Sequence, residues 1–274
     1  MEDAFSTGVS LLDRHSDSDH NRTVLTLAGE RGALRDALLR GAGAAAEMID
    51  MTAHEGLHPA VGALDVCPVV WLDPPGHEVA GDVAAEVGEG IGALGVPVFF
   101  YGSLATGPDR VERAYFRNGG LAELWLQMEA GELAPDYGPG LPHRTAGVAL
   151  VTARPPLAAF NVELDTGDVE TARSVAAGLR ESGGGLVGVR AIGLALSSGR
   201  TQVSTNIHDP LAVPLGKVVE RVRTLAAALG ARPVEAELVG LVPAAGMAGY
   251  PEDIPMRGFD PDLHVIERRL GSRS

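Results

Sequence analysis

Between Gly32 and Leu72 the hydrophobic period of the chain changes within a few residues, and this limits it to folds in which a helix hands over to a strand. Upstream, GALRDALLRGAGAAAEMIDM sets Leu34, Ala37, Leu38, Ala42, Ala45 and Met48 at three- and four-residue spacings, the pattern of an amphipathic helix. Downstream, GALDVCPVVWL is an apolar run closed by the turn cluster Asp73-Pro74-Pro75-Gly76, and reads as a buried strand. The connection between them carries His54 and His58, in a position where a rigid scaffold presents side chains to a ligand. Gly56 between the two histidines and Pro59 after the second argue against a helix that would make them a metal-binding pair.

The same alternation continues along the chain. Val79, Val83, Ala84, Val87 and Ile91 keep helical spacing, and Val96 to Tyr101 is apolar and strand-like. Short helical pieces follow in RVERAYFRNG and GLAELWLQMEAGEL, with Trp125 and Met128 expected in the core. GVALVTAR and LAAFNVELDT read as two strands, and DVETARSVAAGL as a helix with Asp168 at its start. VRAIGLALSSGRTQVSTNIHD predicts a hairpin turning through residues 197–200, LGKVVERVRTLAAALG a helix, PVEAELVG a strand and HVIERRL a short docking helix. The opening reads as strand, polar loop over residues 13–22, and strand. The class is α/β or α+β. At 274 residues the chain has room for two domains of ordinary size, divided as 1–154 and 155–274. The similar order of elements in both halves suggests a duplicated architecture.

Composition removes several function classes. A net charge of −14 without Lys or Arg clusters excludes a nucleic-acid binder. One cysteine, Cys67, allows no internal disulfide and suits a reducing compartment; in its apolar run it is expected to be a buried, inert thiol. No apolar run approaches the roughly 20 residues needed to span a bilayer, and MEDAFSTGVS lacks the regions of a signal peptide, so a cytoplasmic protein is expected. Asp13, His15, Asp17, Asp19 and His20 have donor types that suit a divalent cation, but the preferred reading is an acidic turn whose side chains bond their own backbone, so no metal is expected. APDYGPGLPHRTAG, rich in Gly and Pro, is neither helix nor central strand. On its residues alone it is better read as a linker than as a site.

HNRTVLTLAG, IDMTAHEGLHPAVGALDVCP, PDYGPGLPHRTAG, ARPPLAAFNVEL, QVSTNIHD and ELVGLVP, in this order, resemble the glutamate formimidoyltransferase family over nearly the whole chain. The resemblance implies an enzyme of histidine breakdown that moves a formimidoyl group between glutamate and tetrahydrofolate, the folate being a co-substrate. It implies two similar α/β subdomains, each a mixed sheet with helices on its outer face, the sheets facing across a ligand channel. A homodimer without membrane partners is implied as well. His58 matches the family's catalytic histidine. Gly138, Pro139, Gly140, Leu141, Pro142, His143, Arg144, Thr145, Ala146 and Gly147 match its folate-binding segment. The family pattern opens with a strand and helix that this sequence does not match, so the N-terminal subdomain is expected without them. Where the pattern has Glu-His-Pro-Arg-Met-Gly, this chain has Leu57, His58, Pro59, Ala60, Val61 and Gly62. Formyl transfer, or folate binding without turnover, stay open as alternatives.

Chemistry suits these assignments. Formimidoyl transfer removes a proton from the attacking amine and delivers one to the departing amine, and a histidine titrating near neutrality does both in turn. Asp65 is a candidate to orient the imidazole or bind the amidinium, or else a turn aspartate. Asn21 and Arg22 are candidates to hold the glutamate carboxylates and Arg144 the folate tail. Asn161, Gln202 and Asn206, polar residues within strand-like runs, either bond a pterin edge or face solvent.

Overall fold

The computed structural model describes residues 1–17, 21–55, 60–72, 75–196 and 198–271. It divides into two compact units, Met1–Arg154 and Pro155–Ser274.

The first unit opens with a short helix, α1 (Glu2–Ser6), which the hydrophobic pattern does not announce; its Phe5 ring packs against Gly41 of the long helix α2 (Arg31–Met48). Between them lies the antiparallel hairpin β1 (Ser10–Asp17) and β2 (Arg22–Ala28). The polar loop expected over residues 13–22 is therefore shorter. Backbone pairing carries β1 as far as Asp17, opposite Arg22, because a hairpin ladder needs no apolar side chains once its register is set. Asp13 and His15 thus lie on a strand, and Asp19 and His20 lie outside the described residues.

After α2 come β3 (Val66–Val70), α3 (Gly76–Ala93), β4 (Val98–Phe100), the short α4 (Arg113–Arg117) and α5 (Gly120–Glu129), and β5 (Ala149–Arg154). The sheet order is β3-β5-β4, with all strands parallel. Parallel strands cannot be joined by a tight turn, and α3 supplies the crossover from β3 to β4, which lie on either side of β5. One face of the sheet packs Cys67, Val69, Val98 and Val151 with Val83, Val87 and Ile91 of α3. The other packs Phe99, Leu150 and Val148 with Phe116, Leu124 and Met128 of α4 and α5. Met128 is in the core as expected, whereas Trp125 is only half-buried.

The second unit runs β6 (Ala158–Leu164), α6 (Val169–Leu179), β7 (Val189–Ala195), β8 (Thr201–Ile207), α7 (Leu215–Ala227) and β9 (Pro233–Val239), then α8 (Pro261–His264) and α9 (Ile266–Gly271). Its sheet has the order β7-β8-β6-β9, antiparallel throughout. This is the β-α-β-β-α-β arrangement of the ferredoxin-like type. Asp168 caps α6 by accepting from the Glu170 and Thr171 amides, which holds its carboxyl below the usual carboxylate range, chiefly through the Thr171 hydroxyl. Phe160, Val162, Val203 and Ile207 point to the core with Val175, Leu179, Val218 and Val222 of the two helices. Alternation then puts Asn161, Glu163, Gln202 and Asn206 on the opposite face. Beyond β9 the chain returns: Ala236 donates to Pro255 O at 2.9 Å and accepts from Arg257 N at 2.8 Å.

Both units are α/β. The mixed sheets expected of each resolve into a parallel one and an antiparallel one: crossovers connect the strands of the first, and the second pairs a β7–β8 hairpin at one side with β6, which in turn pairs with β9.

Candidate functional site

Two segments far apart in sequence are laced together at the start of β3 and β5. The Met51 amide donates to Thr145 O at 2.7 Å, Ala63 N to Ala146 O at 2.9 Å, and Val148 N to Val61 O at 3.0 Å. Between these bonds Gly62 and Gly147 face each other as a bridge pair. The closeness requires both glycines. A Cβ on Gly62 would collide with Val148 O, and Gly147, at φ 69°, would set one 3.1 Å from Gly62 Cα. Residues 51–63 and 143–148 therefore run side by side, and described residues on both sides of the 56–59 stretch are pinned to this crossing. His58 itself lies outside the described residues.

The loop over residues 138–147 is an ordered part of the first unit. His143 and Gly147 exchange backbone hydrogen bonds at 2.9 Å each, and His143 Nδ1 accepts from Ala146 N at 3.0 Å. An acceptor Nδ1 places the ring proton on Nε2. Gly138, Pro139, Gly140 and Leu141 form an exposed tip, while Pro142, Ala146 and Gly147 are buried. Tyr137 exchanges backbone hydrogen bonds with Val98, and Gly92 of α3 lies against the Tyr137–Gly138 backbone, where a Cβ would come within 2.8 Å of Gly138 N. Helix, strand and loop thus share one packing contact.

Asn21, in the left-handed region at φ 47°, reaches from the hairpin to the histidine segment. Its Nδ2 donates to Glu55 O at 3.1 Å and lies 3.4 Å from His54 Nδ1, so both amide hydrogens point at this segment. Nε2 of His54 is buried and has no hydrogen-bond partner among the described residues. Arg22, the next residue, is exposed at the start of β2, and Arg144 is exposed on the loop. Asp50 accepts from the Thr52 hydroxyl at 2.7 Å and the Thr52 amide at 2.9 Å. These bonds hold its carboxyl below the usual range, and the nearby Arg144 charge adds to them.

Asp65 accepts from Val61 N at 2.9 Å through one oxygen and from the Arg117 guanidinium through the other. Both bonds brace the turn into β3, the structural alternative weighed for this residue. Arg117 was not foreseen from sequence. The only signal was a pair of arginines four apart on a short helix that also buries Phe116. In the second unit Asn161 Nδ2 donates to Glu237 at 3.2 Å, Gln202 is buried opposite Glu163, and Asn206 is exposed. Glu163, nearly fully buried, accepts from Arg257 at 2.6 Å. Cys67 is buried, and burial pushes its thiol up to about 12. Among the described residues no group of three or more His, Cys, Asp or Glu side chains could hold a metal ion, and no helix is long and apolar enough to cross a membrane.

Residues 1–154 match the formiminotransferase domain, N-terminal subdomain, and residues 159–250 match the formiminotransferase domain. The chain is 37% identical over 266 residues to the glutamate formimidoyltransferase of Streptococcus pyogenes serotype M1, covering 96% of this chain and 89% of that protein. It is 35% identical over 267 residues to the glutamate formimidoyltransferase of Thermoplasma acidophilum, covering 96% and 88%. The formimidoyltransferase-cyclodeaminase of Gallus gallus is 37% identical over 248 residues, 88% of this chain and 46% of that longer protein. Two α/β subdomains, matched along most of their length by transferase domains, define an enzyme of the group-transfer class. The chain belongs to the formiminotransferase family.

Proposed function

We propose that the protein transfers a formimidoyl group from N-formimidoyl-L-glutamate to tetrahydrofolate, a step of histidine breakdown, with His58 as general acid/base. Support comes from family membership, from the names of relatives aligned over nearly the whole chain, and above all from the lacing of the histidine segment to the loop at Met51, Val61 and Ala63. The folate nitrogen attacks the amidine carbon and forms a C–N bond. His58 takes the proton that this nitrogen loses and returns one to the glutamate nitrogen as its own bond to that carbon breaks. No resident metal takes part.

In this reading the exposed tip of the loop receives the folate. Glycines at 138 and 140 leave room for a planar ring to approach the backbone, and the frame from His143 to Gly147 keeps the tip in place. Asn21 positions the histidine segment, since both of its amide hydrogens are directed there. Asp65 holds the turn that follows that segment. Arg22 and Arg144, both exposed, meet substrate carboxylates. Asn161, Gln202 and Asn206 form the polar side of the second sheet that is offered to ligand. The working assembly is a homodimer in the cytoplasm.

The test is direct. Purified protein given N-formimidoyl-L-glutamate and tetrahydrofolate is expected to form the 5-formimidoyl folate and free glutamate, read by the product's spectrum and by amino-acid analysis. Absence of product from folded protein would overturn the reading.

A further inference from the structure

The chain is strongly acidic, with a net charge of −14, yet one side of its first sheet gathers arginines. Arg113 and Arg117 stand four residues apart on α4, so they project from the same side of that helix while Phe116 enters the core against Phe99. The Arg113 guanidinium lies over the Tyr101 ring, 5.8 Å from its centroid, and no ion pair engages it among the described residues. Arg117 pairs with Asp65 through one terminal nitrogen, while its Nε is buried without a hydrogen-bond partner among the described residues. Arg154 ends β5, and strand alternation puts it on the same side of the sheet as Leu150 and Thr152, facing this group. It hydrogen-bonds the Tyr101 side chain, and Arg113 is close enough for its charge to act on it.

Three guanidinium groups around one buried tyrosine are a costly arrangement for a protein to keep by itself. Burial, and then the charge of Arg113, pull the Arg154 guanidinium below its ordinary value, and burial raises the Tyr101 hydroxyl. An arriving anion offsets the repulsion between Arg113 and Arg154 and leaves the Tyr101 hydroxyl neutral, able to donate. Planar forks of donors match carboxylates in particular, and Tyr101 adds an apolar wall and a hydroxyl. Tyr101 and Arg154 lie at the carboxyl ends of the parallel strands, one strand length, roughly 15 Å, from the Gly62–Gly147 crossing at their amino ends, a span suited to a glutamate moiety remote from the reacting group.

We infer that Arg113, Arg154 and Tyr101, flanked by the Arg117–Asp65 pair, form a carboxylate-binding subsite that takes a glutamate moiety. The inference rests on the function proposed above for the choice of glutamate. Two substrates of that reaction carry one, the formimidoyl donor and the tail of the folate.

The experiment uses full-length wild type with the Arg113→Gln, Arg113→Lys and Arg154→Gln variants. KM for N-formimidoyl-L-glutamate and KM for tetrahydrofolate are measured separately. Each Gln variant is expected to raise one of these about 10- to 100-fold, the loss of a charge-assisted pair, with kcat within about threefold of wild type and partial recovery in Arg113→Lys. A rise confined to the donor assigns the donor's carboxylates. A rise confined to the folate, and absent with tetrahydropteroate, which lacks the glutamate, assigns the tail. Both KM values unchanged in variants with wild-type circular dichroism, or a fall in kcat alone, overturn the subsite. Should Arg154→Gln not fold, the half-exposed Arg113 carries the test. If wild type catalyses no transfer, the proposed function fails, and titration calorimetry with N-formyl-L-glutamate decides the subsite by itself. Binding weakened about 10-fold or more in Arg113→Gln keeps it, and equal or absent binding removes it.

Discussion

In the first unit three parallel strands are joined by helices and long connections, and the candidate residues sit outside that sheet: Asn21 in the turn of the β1–β2 hairpin, the histidine segment between α2 and β3, residues 138–147 before β5, and the arginines of α4. In the second unit four antiparallel strands include a hairpin, and its candidate polar residues sit on the strands themselves, where Glu163 and Asn161 are held by Arg257 and Glu237. Strand direction accounts for the difference at residues 138–147 and α4, which lie between the parallel strands β4 and β5, while Asn21 reaches the site from a hairpin turn. A parallel neighbour requires a long excursion outside the sheet, and excursions can be shaped around a ligand. An antiparallel neighbour needs only a turn, so polar side chains remain in a regular grid and neutralise one another.

The largest effect that would break this contrast is catalytic. His58→Ala is expected to lower kcat by about 10²- to 10⁴-fold with an unchanged circular dichroism spectrum, and wild-type turnover in that variant would move the chemistry out of the first unit. Next is the reactivity of Cys67 on β3. With its thiol pushed up to about 12 by burial, labelling by a disulfide reagent at pH 8 should be slower on the order of 10³-fold than in urea. The sign follows from the raised value. The stability gained by keeping the thiol neutral is whole below the unfolded thiol value of about 8.5 and is lost as pH rises towards 12, which alkaline denaturation would show. Rapid labelling in native buffer would mean that the parallel sheet opens locally.

Gly62→Ala should destabilise by about 3 kcal/mol in urea titrations, since its Cβ meets the Val148 carbonyl and neither backbone can retreat. Glu163→Gln in the second sheet should cost about 1–2 kcal/mol. Its carboxylate is buried, but Arg257 is 47% exposed and regains water. If Glu163→Gln proved the more damaging of the two, the grid and not the crossing would be the rigid part. Asp168→Ala should have the smallest effect, a slightly lower urea midpoint. Because the Asp168 carboxyl titrates below its usual value, the gap from wild type should be present above about pH 4 and close as pH falls through the folded value.

Regular elements were the readable part of the sequence. The periodic runs that become α2, α3, α6 and α7 bury their apolar sides as their spacing requires, and Asp168 caps the helix it precedes. Pairing between distant strands was not readable, because β3, β4 and β5 are similarly apolar and nothing local distinguishes a parallel neighbour from an antiparallel one. The site was legible in part. Residues 138–147 have a composition that excludes helix and central strand, yet their frame depends on Gly62 and Val61, some eighty residues upstream. Arg113, Arg117 and Arg154 looked like ordinary surface charges, since only the fold brings α4 over the end of β5.

The return of the chain beside Ala236 has one more consequence. By taking the hydrogen bonds that β9 would otherwise offer outward, residues 255–257 deny that margin to any stray strand. A protein shortened before Pro255 should therefore expose this margin together with the apolar surface that Met256, Phe259 and Val265 cover, and self-associate.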